Sequence, residues 1–421
     1  MPEVLTTPVS IPVERYTSPD YAKRELEGLW PKVWQLACCV DHVAHPGDYF
    51  EYQVGPYSVL VVRGDDGALR AFQNACRHRG SALCEGSGSG LTEIECPFHR
   101  WTYDLAGQLR EVPSRRVFGV RNEDLPLIAA RVGTWGPFVF VNLDLDAEPL
   151  DEFLEAVPGD CAWARIEEFR CTAVVSIAAS CNWKTLIDGF SETYHVQSIH
   201  REMLPMTDDV NGPQQVWERH GKLEQPYGLG SPRLRERPSD QQVWESFVEI
   251  MGTRVGNHDQ KNAGPAPEVP EGSTIREQIA RIIRERGVAS GHDFMADLTL
   301  DQTTNMSQYN LFPNITVLVF SDMLICVRSR PAATHEDAFM DIYAFERHPP
   351  TDPSPLVKPV DVELPAGADA PIGLVLGQDL ANFARSQKGL NQPGLTHLTI
   401  SPTEECRIVN LHRNLERYLG A

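Results

Sequence analysis

Two cysteine–histidine pairs constrain the fold of this chain more than any other feature of its sequence. Cys76 and His78 form the first pair, Cys96 and His99 form the second, and seventeen residues separate the two pairs. A 2Fe-2S cluster with two thiolates on one iron and two imidazoles on the other requires these four ligands, because neutral imidazoles reduce its negative charge and raise its reduction potential. The segment between the pairs is rich in glycine, which permits sharp turns. The sequence therefore predicts two loops that converge on such a cluster.

A tetrahedral zinc ion is the alternative occupant, since two cysteines and two histidines also form structural zinc sites. The neighbouring residues favour the cluster. The stretches NACRHRG (74–80) and CPFHRWTYDLAGQL (96–109) resemble the cluster-binding loops of Rieske proteins, including the aromatic residue and the glycine turn after the second pair. Arg100 departs from this resemblance because the family commonly has glycine there, which leaves the local packing and charge beside His99 open.

A second group of candidate ligands lies in the segment NWKTLIDGFSETYHVQSIH (182–200). It contains Glu192, His195 and His200, and non-haem iron enzymes that activate O2 use two histidines and one carboxylate on one side of the metal. We predict one continuous helix over 182–200. Residues five apart on a regular helix point about 140° away from each other, so convergence of the two histidines requires a bulge or a helix end between them. Otherwise both histidines are simply polar residues of a helix.

The same segment is similar to the iron-binding helix of Rieske non-haem iron oxygenases, in the large (alpha) subunit of the aromatic ring-hydroxylating dioxygenase family. The similarity rests on the leading NWK and on the order of Glu192, His195 and His200. It implies that the two histidines bind a single Fe(II). Asp188 and Gly189 stand where that family often has Glu-Asn, so the resemblance assigns no role to Asp188.

The resemblance also implies a third iron ligand far along the chain. In GQDLANFARSQKGL (377–390), Asp379 is followed eight positions later by Gln387 and then by Gly-Leu, as in the family. This match implies that Asp379 completes the iron site. The alternative is an acid that stabilises the N-terminus of a helix through the helix dipole.

Glu192 lies three residues before His195, on the same face of the predicted helix. In the family, the matching acid connects an iron-ligand histidine to a cluster histidine of a neighbouring subunit. The resemblance therefore implies that Glu192 links His195 to His99 of another chain and carries electrons across the subunit boundary. The alternative is a solvated glutamate.

Hydrophobic patterning predicts a short leading helix followed by two domains. Residues 17–31 predict the helix, and short apolar runs such as YSVLVVR (57–63) and GPFVFVNL (136–143), separated by turn residues, predict an antiparallel β domain. Further along, the pattern predicts a strand over 167–180, helices over 242–251 and 273–286 (the second ending at Gly287), strands over 308–328 and 338–346, and helices over 378–388 and 403–418.

The resemblance places these elements in an α+β fold. It implies a leading helix in residues 1–33 that packs on the catalytic domain, and a Rieske 2Fe-2S β domain in residues 34–155. Residues 156–421 are then a catalytic domain of the helix-grip type, with an antiparallel sheet and the mononuclear iron. Residues 201–310 are expected to form the substrate pocket and its entrance.

Composition excludes several classes of protein. The formal net charge of -20 argues against nucleic-acid binding, because most of the surface repels phosphates. No apolar run approaches the roughly 20 residues of a membrane helix, and the N-terminus has neither a basic start nor an apolar core like a signal peptide. We therefore expect a cytoplasmic protein that does not bind a membrane. The ten cysteines are too irregularly spaced for a disulfide scaffold.

The function implied by the resemblance is that of a terminal oxygenase in a multicomponent Rieske system. A ferredoxin or an NAD(P)H-dependent reductase supplies electrons, and the chain acts on O2 and a small, hydrophobic or aromatic substrate as a homotrimer. Hydroxylation, dihydroxylation and demethylation remain open as outcomes, and so does the substrate. The competing interpretation is a Rieske electron-transfer or metal-binding protein without catalysis, which leaves residues 188–200 and Asp379 unexplained.

Positive charge is concentrated around the cluster motif of this acidic chain. We hypothesise that part of this surface attracts an acidic electron donor; the alternative is a set of solvated or structural arginines. The residues concerned are Arg70, Arg77, Arg79, Arg100, Arg110, Arg115, Arg116 and Arg121.

Overall fold

The computed structural model describes residues 7–349, 351–352, 354–370 and 372–420. Its N-terminal segment consists of strand β1 (Val9–Pro12) and helices α1 (Glu14–Thr17) and α2 (Pro19–Gly28). Ser18 caps α2 by accepting a hydrogen bond from the backbone N–H of Tyr21, and Pro19 occupies the first helical position, where a missing N–H is tolerated. The predicted leading helix is therefore present, although it ends at Gly28.

The next part of the chain is made of short antiparallel strands. They are β2 (Gln35–Cys39), β3 (Tyr49–Val54), β4 (Tyr57–Arg63), β5 (Leu69–Gln73), β6 (Ser87–Gly88), β7 (Ile94–Glu95), β8 (Thr102–Tyr103), β9 (Leu109–Glu111), β10 (Ala129–Trp135) and β11 (Phe138–Asn142). One sheet has the order β2-β11-β10-β5-β4-β3-β6 and a smaller one the order β7-β8-β9. Strands β2 and β11 are buried along their whole length, so this edge of the larger sheet faces other protein and not solvent.

A second large sheet fills the C-terminal part, as the sequence predicts. Its strands are β12 (Phe169–Ala179), β13 (Gln214–Val216), β14 (Gly221–Gln225), β15 (Met306–Leu311), β16 (Ile315–Val319), β17 (Leu324–Pro331), β18 (Ala338–Arg347) and β19 (Val360–Leu364). Their order is β13-β14-β15-β16-β17-β18-β12-β19, and only β12 and β19 pair in parallel. Strand β20 (His397–Ile400) lies apart from this sheet and pairs with β1. The predicted α+β class is confirmed.

The helices lie mostly in the C-terminal part. Their bounds are α3 (Arg115–Phe118), α4 (Leu150–Phe153), α5 (Val157–Cys161), α6 (Trp183–Gly189), α7 (Val196–Ile199), α8 (Asp240–Met251), α9 (Ile275–Ala289), α10 (Leu300–Thr304), α11 (Leu374–Leu390) and α12 (Cys406–Leu419). The predicted end of α9 at Gly287 is wrong, because the helix continues to Ala289. A Cβ atom on Gly287 would lie 2.2 Å from the Met295 sulfur, so close packing accounts for this glycine.

A buried arginine joins the two large sheets. Arg328 on β17 donates to Asp341 on β18 at 2.8 Å, and it also donates to the carbonyl oxygens of Leu36 and Ala37 on β2 at 2.5 and 3.1 Å. Both charged side chains are buried. Removing one partner of a buried ion pair leaves an uncompensated charge, so this contact fixes the N-terminal sheet against the C-terminal one.

The leading segment packs on the C-terminal part of the chain, where it contacts helix α6. Tyr16 donates a hydrogen bond to Asp188 at 2.6 Å, and Lys184 forms a buried ion pair with Glu25 at 2.7 Å. Trp183 Nε1 also donates to the carboxylate of Glu25 at 3.1 Å. Helix α6 is therefore anchored by residues more than 150 positions away in the chain.

Candidate iron-sulfur and metal sites

The four candidate cluster residues lie on two loops that meet, one after β5 and the other between β7 and β8. The ring centroids of His78 and His99 are 4.6 Å apart, and the thiol groups of Cys76 and Cys96 face each other. Burial acts to raise the pKa of these thiols, whereas the backbone N–H groups of His78, near Cys76, and of Phe98 and His99, near Cys96, act to lower it and so favour the thiolate forms. The two loops thus bring together all four residues that the sequence singles out.

Two observations test whether these side chains suit a cluster or a single zinc ion. His78 Nδ1 is buried and has no hydrogen-bond partner in the described structure, as expected for a nitrogen that binds a metal. Zinc would draw four donor atoms to within about 4 Å of one another. Among the described residues, the close group of three or more potential ligands of a single metal ion is His195, His200 and Asp379, and not this cysteine–histidine set. Separate thiolate and imidazole pairs fit a centre with two irons.

Arg100, the departure from the family pattern, adopts left-handed backbone with φ of 57°. This conformation favours glycine, because a Cβ atom clashes with the backbone there. The side chain of Arg100 is 76% exposed and pairs with Glu95 at 3.0 Å. The family's glycine therefore has a conformational reason, and this chain keeps an arginine there at the expense of local strain.

We expect Arg100→Gly to be more stable than Arg100→Ala by about 1 kcal/mol. A residue with a Cβ atom in left-handed backbone destabilises the folded state by about 1–2 kcal/mol relative to glycine. Glycine offsets about 0.4–1 kcal/mol of this difference, because it has greater conformational freedom in the unfolded chain. Alanine is the matched control, because both variants lose the Glu95 pair. Urea unfolding monitored by circular dichroism measures the difference, and equal stabilities would show that position 100 is not strained.

His195, His200 and Asp379 form a compact group of potential metal ligands, and their donor atoms all lie within 4.8 Å of one another. Asp379 Oδ1 is 2.9 Å from His200 Nε2 and 3.7 Å from His195 Nε2. His200 and Asp379 are buried, and His195 is half-buried. Two imidazole nitrogens and one carboxylate oxygen thus converge as the facial arrangement of non-haem iron requires.

The continuous helix predicted over 182–200 is wrong. Helix α6 ends at Gly189, an irregular turn follows, and α7 covers only Val196–Ile199. His195 precedes α7 and His200 follows it, so helix ends on both sides provide the expected distortion. Gly189 has a packing reason, because a Cβ atom there would lie 2.6 Å from the ring of Phe383 on α11. This close contact brings α11, which carries Asp379, against the end of α6.

Hydrogen bonds orient both imidazole rings. His195 Nδ1 is 2.5 Å from Glu192 Oε1, and His200 Nδ1 is 2.6 Å from Gln378 Oε1. Partners of this kind hold a histidine so that its other nitrogen can bind a metal. Burial alone would lower the pKa of His195, but the hydrogen bond and charge of Glu192 raise it above its ordinary value. Each Nε2 is therefore directed toward Asp379.

The surroundings of Glu192 and Asp379 distinguish between the alternative roles that the sequence left open for these two acids. Glu192 is 11% exposed at its side chain and also accepts a hydrogen bond from the backbone N–H of His195 at 3.0 Å, so it is not a solvated glutamate. Asp379 lies inside α11, which begins at Leu374, and not at its N-terminus. The sequence alone did not identify Gln378 as a partner of His200, although its position directly before Asp379 could have suggested a place beside the metal site.

Asp188, to which the resemblance assigns no role, is an acid with a largely buried carboxylate in a polar network. Its Oδ2 accepts a hydrogen bond from Tyr16, whose hydroxyl also lies 2.8 Å from His412 Nε2 on α12. Its Oδ1 is buried and has no partner in the described structure. Burial raises the pKa of Asp188 from 3.8 to about 7, although Tyr16 and Lys184 favour the ionised form.

Asp188→Asn should remove a pH dependence of stability. Because the folded protein holds the proton of Asp188 more tightly than the unfolded chain does, ionisation disfavours the folded state. The free energy of unfolding of the wild type, relative to the variant, should therefore fall between pH 4 and 7 and level off above pH 7. A pKa raised by about three units corresponds to a fall of at most about 4 kcal/mol in the free energy of unfolding. Urea unfolding at several pH values measures this, with the exposed Asp65→Asn as control. A constant difference would show that Asp188 titrates normally.

A cavity of about 210 Å³ adjoins the three potential metal ligands. Its walls are mainly apolar and include Met203, Tyr227, Met306 and Phe320, so residues 201–310 line the cavity as expected. No lysine or arginine is among the described residues of its lining. The sequence did not identify the individual wall residues, because they come from short, separated segments without a common spacing.

Two families match the chain over most of its length. The Rieske [2Fe-2S] domain matches residues 33–125, and the ring hydroxylating alpha subunit (catalytic domain) matches residues 162–421. A Rieske domain followed by such a catalytic domain is the architecture of a Rieske oxygenase alpha subunit. The chain belongs to the ring hydroxylating alpha subunit family. The predicted boundaries at 33/34 and 155/156 remain predictions.

The alignments with known relatives cover only part of each relative's length. The chain is 33% identical over 190 residues to a carnitine monooxygenase oxygenase subunit of Acinetobacter pittii (44% of this chain, 51% of the relative). It is 29% identical over 207 residues to a glycine betaine monooxygenase oxygenase subunit of Pseudomonas aeruginosa (48% of each chain). It is 28% identical over 302 residues to biphenyl 2,3-dioxygenase subunit alpha of Rhodococcus jostii (62% and 59%). The chain thus spans about half the length of the monooxygenase subunits it matches.

Solved structures share the fold. A quaternary ammonium Rieske monooxygenase in complex with L-carnitine superposes with a TM-score of 0.68 at 18% identity, covering 97% of this chain and 95% of the other. Naphthalene 1,2-dioxygenase superposes with a TM-score of 0.67 at 19% identity, covering 100% and 95%. None of the helices in the described part of the chain combines the length and the apolar character that a bilayer crossing requires.

Proposed function

We propose that the protein is the terminal oxygenase component of a Rieske system. It uses O2 and electrons from a ferredoxin or an NAD(P)H-dependent reductase to hydroxylate, dihydroxylate or demethylate a small organic substrate. The observation that carries the proposal is the convergence of His195, His200 and Asp379 beside an apolar cavity. Such a site has no purpose in a protein that only carries electrons.

The side chains have distinct roles in this proposal. Cys76, Cys96, His78 and His99 hold the 2Fe-2S cluster, and His195, His200 and Asp379 hold Fe(II). When bound, the iron supplies open coordination positions at which O2 is reduced. Hydrogen bonds from the imidazole rings to Glu192 and Gln378 keep both Nε2 atoms aimed at the metal. The apolar cavity walls keep water away from the reacting groups.

Electron transfer between the two centres is proposed to cross a subunit boundary. Within the described chain, Glu192 contacts His195 and makes no contact with His99. A bridge from Glu192 to a cluster histidine then requires another copy of the chain, which a closed ring such as a homotrimer provides. Exposed Phe98 (62%) and Val117 (80%) lie near the cluster loops, as expected of a surface that another subunit covers.

The positive surface around the cluster is smaller than the sequence suggested. Four of the eight arginines form ion pairs with neighbouring acids: Arg70 with Asp66, Arg100 with Glu95, Arg110 with Asp104 and Arg121 with Asp124. Arg77 and Arg115 donate to carbonyl oxygens. Arg79 donates to His99 Nε2 at 2.6 Å and packs over the ring of Phe98. We propose that Arg116, for which the described structure shows no hydrogen bond or ion pair, is the arginine most available to an acidic donor.

The substrate is proposed to be small and mainly apolar. The relatives named above act on charged carnitine and glycine betaine in one group and on biphenyl in another. Aliphatic, methionine and aromatic side chains make up most of the cavity wall, and such walls suit a hydrophobic or aromatic molecule. Flexible methionine side chains also allow one cavity to fit several shapes.

Metal and sulfide analysis of anaerobically purified protein tests the proposal. We expect about three irons and two acid-labile sulfides per chain, a visible Rieske absorption spectrum, and oxygenated products from a panel of aromatic, steroidal and N-methyl substrates with a surrogate reductase. Stoichiometric zinc without sulfide would overturn the cluster assignment. Two irons per chain, a reducible cluster and no product from any substrate would favour a protein that only transfers electrons.

A further inference from the structure

One buried hydroxyl group in the cavity has only a weak hydrogen-bond acceptor. Tyr227 is 2% exposed, and its Oη donates to the sulfur of Met306 at 3.7 Å. Both residues line the cavity beside the potential metal ligands. A thioether sulfur is a weak acceptor, so this O–H group is poorly satisfied. Burial raises the pKa of Tyr227, which keeps the hydroxyl protonated and able to donate at neutral pH.

Three other polar side chains of the cavity wall already have oxygen acceptors. Gln225 Nε2 donates to the hydroxyl of Thr207 at 3.1 Å, and Gln308 Nε2 donates to the carbonyl oxygen of Phe190. Thr193 donates to the carbonyl oxygen of Asp209 at 3.1 Å. Buried donors are normally paired with good acceptors. Tyr227 is therefore the donor that a bound molecule would satisfy.

Charge on the cavity wall restricts the bound molecule further. The acids Glu192, Glu249 and Asp379 line the cavity, while the described lining contains no lysine or arginine. Outside the proposed iron site, the described lining offers a substrate carboxylate no cationic side chain to replace its hydration. An uncharged oxygen, by contrast, can accept a hydrogen bond from Tyr227 without a counter-ion.

We propose that Tyr227 is a specificity-determining residue that donates a hydrogen bond to a carbonyl or ether oxygen of a mainly apolar substrate that carries no carboxylate. The cavity discriminates against carboxylates of the same shape. This inference rests on the proposed function in one respect: it assumes that the cavity is the substrate site. It adds that the mainly apolar substrate carries one oxygen atom that accepts a hydrogen bond. A site built to donate to an oxygen rejects the analogue without it, because the donor then stays unpaired.

Three ligands of nearly equal shape test this inference: acetylnaphthalene, isopropenylnaphthalene and naphthoate, substituted at the same ring position. Isothermal titration calorimetry on the anaerobic holoprotein measures their dissociation constants without turnover. We expect acetylnaphthalene to bind about threefold to tenfold more tightly than isopropenylnaphthalene, and naphthoate to bind most weakly. In Tyr227→Phe, the preference for acetylnaphthalene should vanish. The matched control Tyr194→Phe changes an exposed tyrosine that does not line the cavity. This variant should keep the preference for acetylnaphthalene.

The outcomes separate this inference from the proposed function. Equal affinities of wild-type protein for the two uncharged ligands would overturn it, and this comparison needs no variant. Retention of the preference in a folded Tyr227→Phe, or tight binding of naphthoate, would also overturn it. The proposed function depends instead on iron, sulfide and product analysis of the same preparation, so either result can fail while the other holds.

Discussion

Asp379→Ala should yield a protein with a normal Rieske absorption spectrum, about two irons per chain instead of about three, and no turnover. Asp379 provides the oxygen donor that lies between the two imidazole Nε2 atoms, at 2.9 and 3.7 Å. Without it, two neutral imidazoles remain, which have no charge to offset that of Fe(II). The cluster residues belong to other loops and other strands, so their absorption should be unaffected.

Two further variants make this prediction specific. Asp369→Ala changes an exposed acid ten positions away and should keep all three irons. Gln378→Leu removes the partner of His200 Nδ1 and should lower iron affinity or activity about 10–100-fold, as expected for a group that orients a ligand. Full activity and iron content in Asp379→Ala would mean that another carboxylate completes the site.

The sequence was most informative where short spacings reflect direct chemistry. Cys76, His78, Cys96 and His99 could be identified because ligands of one centre must lie on loops that meet, and the structure brings them together. The short apolar runs at 57–63 and 136–143, separated by turn residues, predicted β4 and β11, since a strand that is buried on both faces shows a continuous apolar run.

Long-range contacts limited what could be predicted. The helix over 182–200 was wrong because apolar periodicity does not show that Gly189 must pack against Phe383, which lies almost 200 positions later. Strands β1 and β20 were missed for a related reason, because each is short and its partner is at the other end of the chain. The role proposed for Tyr227 could not be inferred from the sequence, since it depends on Met306 lying beside the Tyr227 hydroxyl.

Glu192→Gln should leave both metal centres intact and slow the transfer of electrons between them about 10–100-fold. The carboxylate of Glu192 accepts from the Nδ1 and the backbone N–H of His195, and an amide of the same size can accept only through its oxygen. The amide N–H2 group would face a second imidazole donor across the proposed subunit boundary and could not bind it. Iron content and reducibility of the cluster should therefore stay near normal.

Stopped-flow mixing of reduced protein with O2 and substrate measures how fast the cluster is oxidised. The exposed Glu152→Gln is the control and should react at the wild-type rate. Wild-type kinetics in Glu192→Gln would exclude the bridge, and loss of the mononuclear iron would make Glu192 a support for the ligand His195 instead. Co-expression of Cys76→Ser with Asp379→Ala tests the subunit boundary itself. Each chain then lacks one centre, so partial activity can return only if the cluster of one chain serves the iron site of another.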